Sequence, residues 1–148
     1  MKKTARGLLL TMFIAVLVFT LAGCGNKKKN SEEQHQASQI IATKTETDAY
    51  FGEYKQTMEI HFMDNIAEKI IITYDFANEE TAKGITSMFS LAGPEQLQGI
   101  EARQDGTCFV MSIDAKTYAE QQNLEEGNLS REYFLTTLGN GGYEIVKQ

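Results

Sequence analysis

The chain has 148 residues, with 14 basic and 20 acidic side chains for a formal charge of −6, two cysteines, two histidines, one proline and no tryptophan. At 42% hydrophobic and 23% charged it has the composition of one ordinary globular domain rather than of a disordered or fibrous chain. So few cysteines exclude a disulfide framework, and with only His35 and His61 a multi-histidine metal centre is excluded as well.

Lys2, Lys3 and Arg6 precede an apolar run of 14 residues from Leu8 to Leu21, LLLTMFIAVLVFTL. Spanning a bilayer takes about 20 residues, so the run fits the core of a signal peptide and is set aside before fold reasoning. Leu21, Ala22, Gly23 and Cys24 resemble the bacterial lipobox, the leucine, small, small, cysteine pattern read by lipoprotein signal peptidase. What the resemblance implies is cleavage before Cys24 and its diacylation, with diacylglycerol and palmitate as the lipid. Two or more acyl chains, at about 0.8 kcal/mol per buried methylene, hold without reversing on a useful timescale. The expected location is the extracytoplasmic face of the cell membrane, with membrane lipid as the first partner. The discarded stretch Val16 to Gly23, VLVFTLAG, also looks like the short apolar peptide pheromones that some Gram-positive bacteria release from lipoprotein signal peptides.

Residues 25–44, GNKKKNSEEQHQASQIIATK, are polar and keep no sustained period of 3.6 or 2, which reads as a flexible linker. About 20 such residues reach about 25 Å, enough to hold a small domain off a lipid surface. Lys27, Lys28 and Lys29 follow the anchor closely, where an anionic leaflet attracts each by about 1 kcal/mol; a solvated spacer is the plainer reading. From Glu46 to Gln148 seven basic residues stand against eighteen acidic ones, giving −11. Such a field repels a phosphate backbone, so nucleic acid is excluded as a partner. Basic peptides, cationic solutes, divalent ions or plain solubility remain.

The folded domain is expected over residues 45–148. A weak strand is expected from Thr45 to Phe51. Between Tyr54 and Phe62, Tyr54, Gln56, Met58, Ile60 and Phe62 alternate with Lys55, Thr57, Glu59 and His61, the period of a half-buried strand. Beyond the turn-forming Asp64 and Asn65, Ile70, Ile72, Tyr74 and Phe76 alternate in the same way. A hairpin whose paired numbers sum to 130 puts both apolar sets on one face, with Met58 opposite Ile72, Thr57 opposite Thr73 and Lys55 opposite Asp75. From Asn78 to Ala92 the period turns helical, with Asn78 as cap, Glu79 and Glu80 in the first turn, and Gly93 and Pro94 as the stop. A second hairpin, Gly99 to Gln104 and Thr107 to Ile113, is expected around Asp105-Gly106 with a pair sum of 211. That sum sets Ala102 opposite Phe109, Ile100 opposite Met111 and Arg103 opposite Cys108. Ser130 can cap a short helix carrying Phe134, Leu135 and Leu138, ended by the run Gly139 to Gly142, before a terminal strand from Tyr143 to Lys147. The expected fold class is α+β: an antiparallel sheet built from hairpins, with two helices packed on one face.

The lipobox, the Tyr54 to Phe76 hairpin, the strand TCFVMSID (Thr107 to Asp114), the helix SREYFLTTL and the closing GGYEIVK together resemble the small YehR-like bacterial lipoproteins. The likeness covers the chain beyond the signal segment in element order and hydrophobic pattern, and is most specific from Leu138 to Lys147. It implies an α+β lipoprotein domain of unassigned function, so no catalytic residue is carried over.

Chemistry-bearing residues are sparse. Cys108 reads as a small buried strand residue; the alternative is a reactive thiolate favoured by Arg103 across the hairpin. His61 reads as an exposed strand histidine beside Lys69, with no serine or cysteine nucleophile placed next to it by any motif. Glu79 with Glu80, Glu125 with Glu126, and Asp64 follow no calcium-loop spacing, and Gly139 to Gly142 lacks the lysine and helix of a phosphate loop, so no metal and no cofactor are expected. The functional expectation is a membrane-anchored, non-enzymatic binding or interaction domain. Its partner would be an envelope protein, a peptide or a cationic small ligand, met on the polar strand face of Lys55, Thr57, Glu59, His61, Lys69, Thr73 and Asp75. A small hydrolase using scattered carboxylates is the enzymatic alternative, and it requires acidic groups with raised pKa values in one pocket.

Overall fold

A computed structural model describes residues 37–148. Leu21, Ala22, Gly23, Cys24, the pheromone-like stretch and the three adjacent lysines lie outside the described residues. The elements in chain order are β1 (Ala37–Asp48), β2 (Gly52–Met63), β3 (Ile66–Phe76), α1 (Glu79–Phe89), β4 (Ile100–Asp105), β5 (Cys108–Asp114), α2 (Ala115–Gln122), a 3-10 turn (Glu126–Leu129), α3 (Arg131–Asn140) and β6 (Glu144–Lys147). The strands form one six-stranded antiparallel sheet in the order β4-β5-β3-β2-β1-β6. The fold is α+β.

The first hairpin forms as its alternation demands: Met58 pairs with Ile72, Thr57 with Thr73 and Lys55 with Asp75. Its turn shows how that register arises. Asp64 and Asn65 both take left-handed backbone, at φ 53° and 66°, the geometry of a two-residue type I′ turn, and Met63 pairs with Ile66. A bulge then inserts Glu68, so that Phe62 faces Ala67 while His61 faces Lys69, and the body of the hairpin settles on the sum of 130.

The second hairpin differs from expectation by two residues. Ala102 pairs with Met111, not Phe109, and Ile100 pairs with Ile113, not Met111; the sum is 213 and the turn is Gly106-Thr107. Gly106 carries the single positive φ of the turn, 58°, where a glycine-first hairpin turn requires it. A slip of two residues leaves every side chain on the same face, so apolar alternation does not distinguish the two registers.

The linker expectation is also corrected at its end. β1 begins at Ala37, so residues 37–44 are strand rather than tether, and it stops at Asp48 instead of running to Phe51. Only Ile40 and Ala42 mark its buried face, while Lys44 and Glu46 on the same face hide the period. Pairing with β2 along its whole length, and with β6 at Ile41 to Thr43, supplies the stability that its own pattern lacks.

The helices are fixed by their caps. The Asn78 side chain accepts from the Thr81 N–H at 2.9 Å, as expected, but α1 ends at Phe89, and after Ser90 residues 91 and 92 tighten into turns bonded three residues back. The Ser130 hydroxyl accepts from the Tyr133 N–H at 3.2 Å; Gly139 and Asn140 still belong to α3, which stops at Gly141. A third helix was not anticipated. α2 starts directly after β5, its Asp114 carboxylate accepting from the Thr117 N–H at 2.7 Å, and it ends on Asn123 in left-handed backbone. Its signal was present in an acidic cap followed by Ala115, Tyr118 and Ala119 at helical spacing, all three buried.

The core lies on the sheet face that carries Ile40, Ile60, Ile72 and Phe109. α1 reaches it through Phe89, whose ring lies 5.6 Å from that of Phe109, and α3 through Phe134, 5.9 Å from Phe62. α2 packs at the end of β3 and β5. No helix among the described residues is long and apolar enough to cross a membrane.

Candidate interaction surface

By strand alternation the face turned away from α1 and α3 carries the opposite set of side chains. All seven residues expected to make contacts stand there together. The register sets them as adjacent cross-strand pairs on the two central strands: Lys55 with Asp75, Thr57 with Thr73, and His61 with Lys69, while Glu59 faces Ile71. β1 flanks them with Thr45, Thr43, Ile41 and Gln39, and β5 flanks them with Cys108, Val110, Ser112 and Asp114. Lys55, Lys69 and Asp75 are exposed, whereas Thr57, Glu59, His61 and Thr73 are half-buried. The surface is therefore charged at its margin, with threonine and isoleucine at its centre.

Three contacts order this face. The Gln39 amide donates to Glu59 Oε2 at 3.3 Å, and the same oxygen lies 3.6 Å from His61 Nε2. Thr107 Oγ1 donates to Asp75 Oδ1 at 2.7 Å, which ties the rim of β3 to the β4–β5 turn. Among the described residues His61 makes its polar contact with Glu59, and the face offers charged and hydrogen-bonding groups for recognition.

Cys108 lies on this face, and its surroundings reverse the reactive-thiol expectation. Arg103 pairs with Val110; the residues across from Cys108 are Asp75 on β3 and Asp105 on β4. Burial first, then the Asp75 charge, pushes the thiol above its ordinary pKa, the direction of an inert cysteine.

A second polar group, not singled out from the sequence, sits on the helix-covered face at the β1–β2 end. Lys44 and Glu46 form an ion pair, and the Tyr54 hydroxyl donates to Glu46 Oε2 at 3.0 Å. Lys44 Nζ lies 5.6 Å from the centre of the Tyr143 ring. Beneath them the fully buried Gln56 amide donates to the Tyr74 hydroxyl at 3.4 Å. The hydrogen bond from Lys44 holds Glu46 below the usual carboxylate range. Burial, then the bond to Glu46, pushes Tyr54 up to about 12, and burial raises Tyr74 and Tyr143 further. Each tyrosine is thus protonated at neutral pH. The signal for this cluster was Gln56 standing inside an otherwise apolar alternation, and two charges at the buried parity of β1.

Glu46 and Asp114 are both held down, Asp114 by the Thr117 backbone N–H, the opposite direction from a general acid. Among the described residues no three His, Cys, Asp or Glu side chains group to hold a metal ion.

No family model and no curated protein matches the chain. Among solved structures, it is similar to the NMR structure of a protein from Streptococcus pneumoniae TIGR4, at 16% identity over 86% of this chain and 94% of that one, with a TM-score of 0.43. The α+β architecture rests on the strand pairings and helix caps of the chain itself.

Proposed function

We propose that the chain is a membrane-anchored extracytoplasmic lipoprotein of the YehR-like kind, held by lipid on Cys24, whose folded domain is a non-enzymatic binding module. The anchor reading is supported by the order of positive start, 14-residue apolar run and Leu21-Ala22-Gly23-Cys24. The binding reading is carried by one observation, the sidedness of the sheet: α1 and α3 cover one face, and the seven polar side chains from Lys55 to Asp75 share the other. The partner is an envelope protein or a peptide, and a cationic segment suits the acidic domain.

Two measurements test this. Growth with a radioactive fatty acid should label the chain, and Cys24→Ala should lose both label and membrane association; an unlabelled chain in the soluble fraction removes the anchor. A photo-crosslinking residue at Thr57 or Thr73 should capture a discrete envelope partner in intact cells, and the same residue at Lys83 on α1 should not. Equal capture at both positions, or adducts to lipid alone, removes the assignment of this face.

A further inference from the structure

The sheet ends in two edges, β6 on one side and β4 on the other. β6 is a four-residue strand, whereas β4 offers six residues from Ile100 to Asp105. The direction of each β4 peptide group follows from its hairpin. Asp105 and Cys108 close the two-residue turn as a hydrogen-bonded pair, so by alternation Arg103 and Glu101 also bond inward to β5. Ala102 and Gln104 then turn their N–H and C=O groups outward. The flanking bonds agree with this alternation: Asp114 N–H donates inward to the Gly99 carbonyl at 2.7 Å, and Ile100 N–H donates to the Leu97 carbonyl at 2.8 Å. Among the described residues no backbone bond is made to the outward groups of Ala102 and Gln104.

An exposed edge is ordinarily protected by charges that repel a second strand. β4 carries charges of alternating sign, Glu101, Arg103 and Asp105, all exposed on one face. For an antiparallel copy of the same strand, the register decides whether that pattern repels or attracts. Centred on Arg103, the two arginines face each other and each Glu101 meets an Asp105, so every charged contact is repulsive. Centred on Gln104, each Arg103 meets the other copy's Asp105, but its own Asp105 already engages it at 3.3 Å, and Ala102 and Glu101 fall opposite Gly106 and Thr107 in the turn, so only Arg103 to Asp105 pair strand to strand. Centred on Ala102, each Glu101 faces the other copy's Arg103, and Ile100 faces Gln104. Every residue from Ile100 to Gln104 is then paired. The Ala102 N–H and C=O groups bond across the axis, and each Gln104 N–H finds an Ile100 carbonyl.

We propose that β4 is a homodimerisation edge: two copies of this chain join antiparallel strands about a two-fold axis through Ala102 and continue the sheet from one molecule into the next. The contact is isologous and closes on itself, so it yields a dimer and not a fibre. It lies along the sheet rather than on its open face, and it leaves Lys55 to Asp75 free in both copies.

The full-length chain with Ala102→Cys tests the axis directly. Residues opposed in a hydrogen-bonded antiparallel pair have α-carbons about 5.5 Å apart, within disulfide reach. Mild oxidation of membranes should convert most of this variant to a covalent dimer, above the background set by the unsubstituted chain with its Cys108. Glu101→Cys, offset by two residues from its own copy, should stay at that background. By sedimentation of the detergent-solubilised chain, Arg103→Glu should weaken the dimer by about tenfold, because both cross-strand pairs become repulsive. Combining Glu101→Arg with Arg103→Glu should restore it. Background-level cross-linking of Ala102→Cys, a monomer at every concentration of the unsubstituted chain, or no recovery in the double reversal would each overturn the proposal.

Discussion

At the scale of single residues, environment decides chemistry. The Cys108 thiol is half-buried between acidic strand neighbours, and its raised pKa keeps the thiolate scarce at neutral pH. Alkylation of native protein at pH 7 should run slower than that of a free thiol. Asp75→Asn should accelerate it by removing the largest repelling charge, and a rate equal to that of the unfolded chain would contradict this account. Glu46 supplies a pH dependence of definite sign. Its folded pKa lies below the ordinary 4.5, so its stabilisation is fully present above the unfolded-state value and is lost as pH falls through the lower folded value. The pair with Lys44 is about one-third exposed, so solvent screens it and limits its worth to about 0.2–1 kcal/mol. Urea denaturation of Glu46→Gln should show that deficit at pH 7, and the gap should narrow as pH falls through the lowered folded value and Glu46 becomes neutral.

At the scale of elements, the turns and caps carry the specificity that alternation leaves open. Gly106 has nothing within 4 Å of an added β-carbon, so Gly106→Ala should cost only the left-handed backbone strain, about 1–2 kcal/mol in chemical denaturation. Gly99 differs: at φ 75° an added β-carbon would sit 2.8 Å from two carbons of the Thr117 side chain. Gly99→Ala should therefore cost more than Gly106→Ala, by about 1–3 kcal/mol of overpacking, because α2 is held against the start of β4 at that point. Asn78→Ala should cost about 1 kcal/mol through the lost cap of α1. The N-caps at Asn78 and Ser130 were legible because a capping side chain and the first helical turn are adjacent in sequence. α2 was missed because its helical spacing follows a strand without a break, and Asp114 serves as both the last residue of β5 and the cap.

At the scale of the whole molecule, the two faces of the sheet differ in what they tolerate. Phe109 is fully buried against Phe89 and Tyr74, and Phe109→Ala should destabilise the domain by about 3–5 kcal/mol in thermal or urea unfolding. Lys55→Ala on the open face should stay within about 0.5 kcal/mol while weakening any partner that contacts this face. Comparable losses for both substitutions would mean that the open face is packed against something as tightly as the core. The polar cluster of Lys44, Glu46, Tyr54 and Gln56 belongs to the covered face, where it closes the β1–β2 end of the core around hydrogen-bonded groups.

The amino-acid sequence by itself determined which side chains share a face, the body register of the first hairpin, the caps of α1 and α3, and the assembly of seven polar residues on one surface. Each of these follows from a period or an adjacency of a few residues, which strand pleat and helix pitch translate directly into direction. Only the tertiary structure decided the start of β1, the two-residue slip of β4 on β5, the neighbours of Cys108 and the edge presented by β4. Those depend on which strands become neighbours and on where a glycine takes left-handed backbone, and a pattern that repeats every two residues is blind to a shift of two.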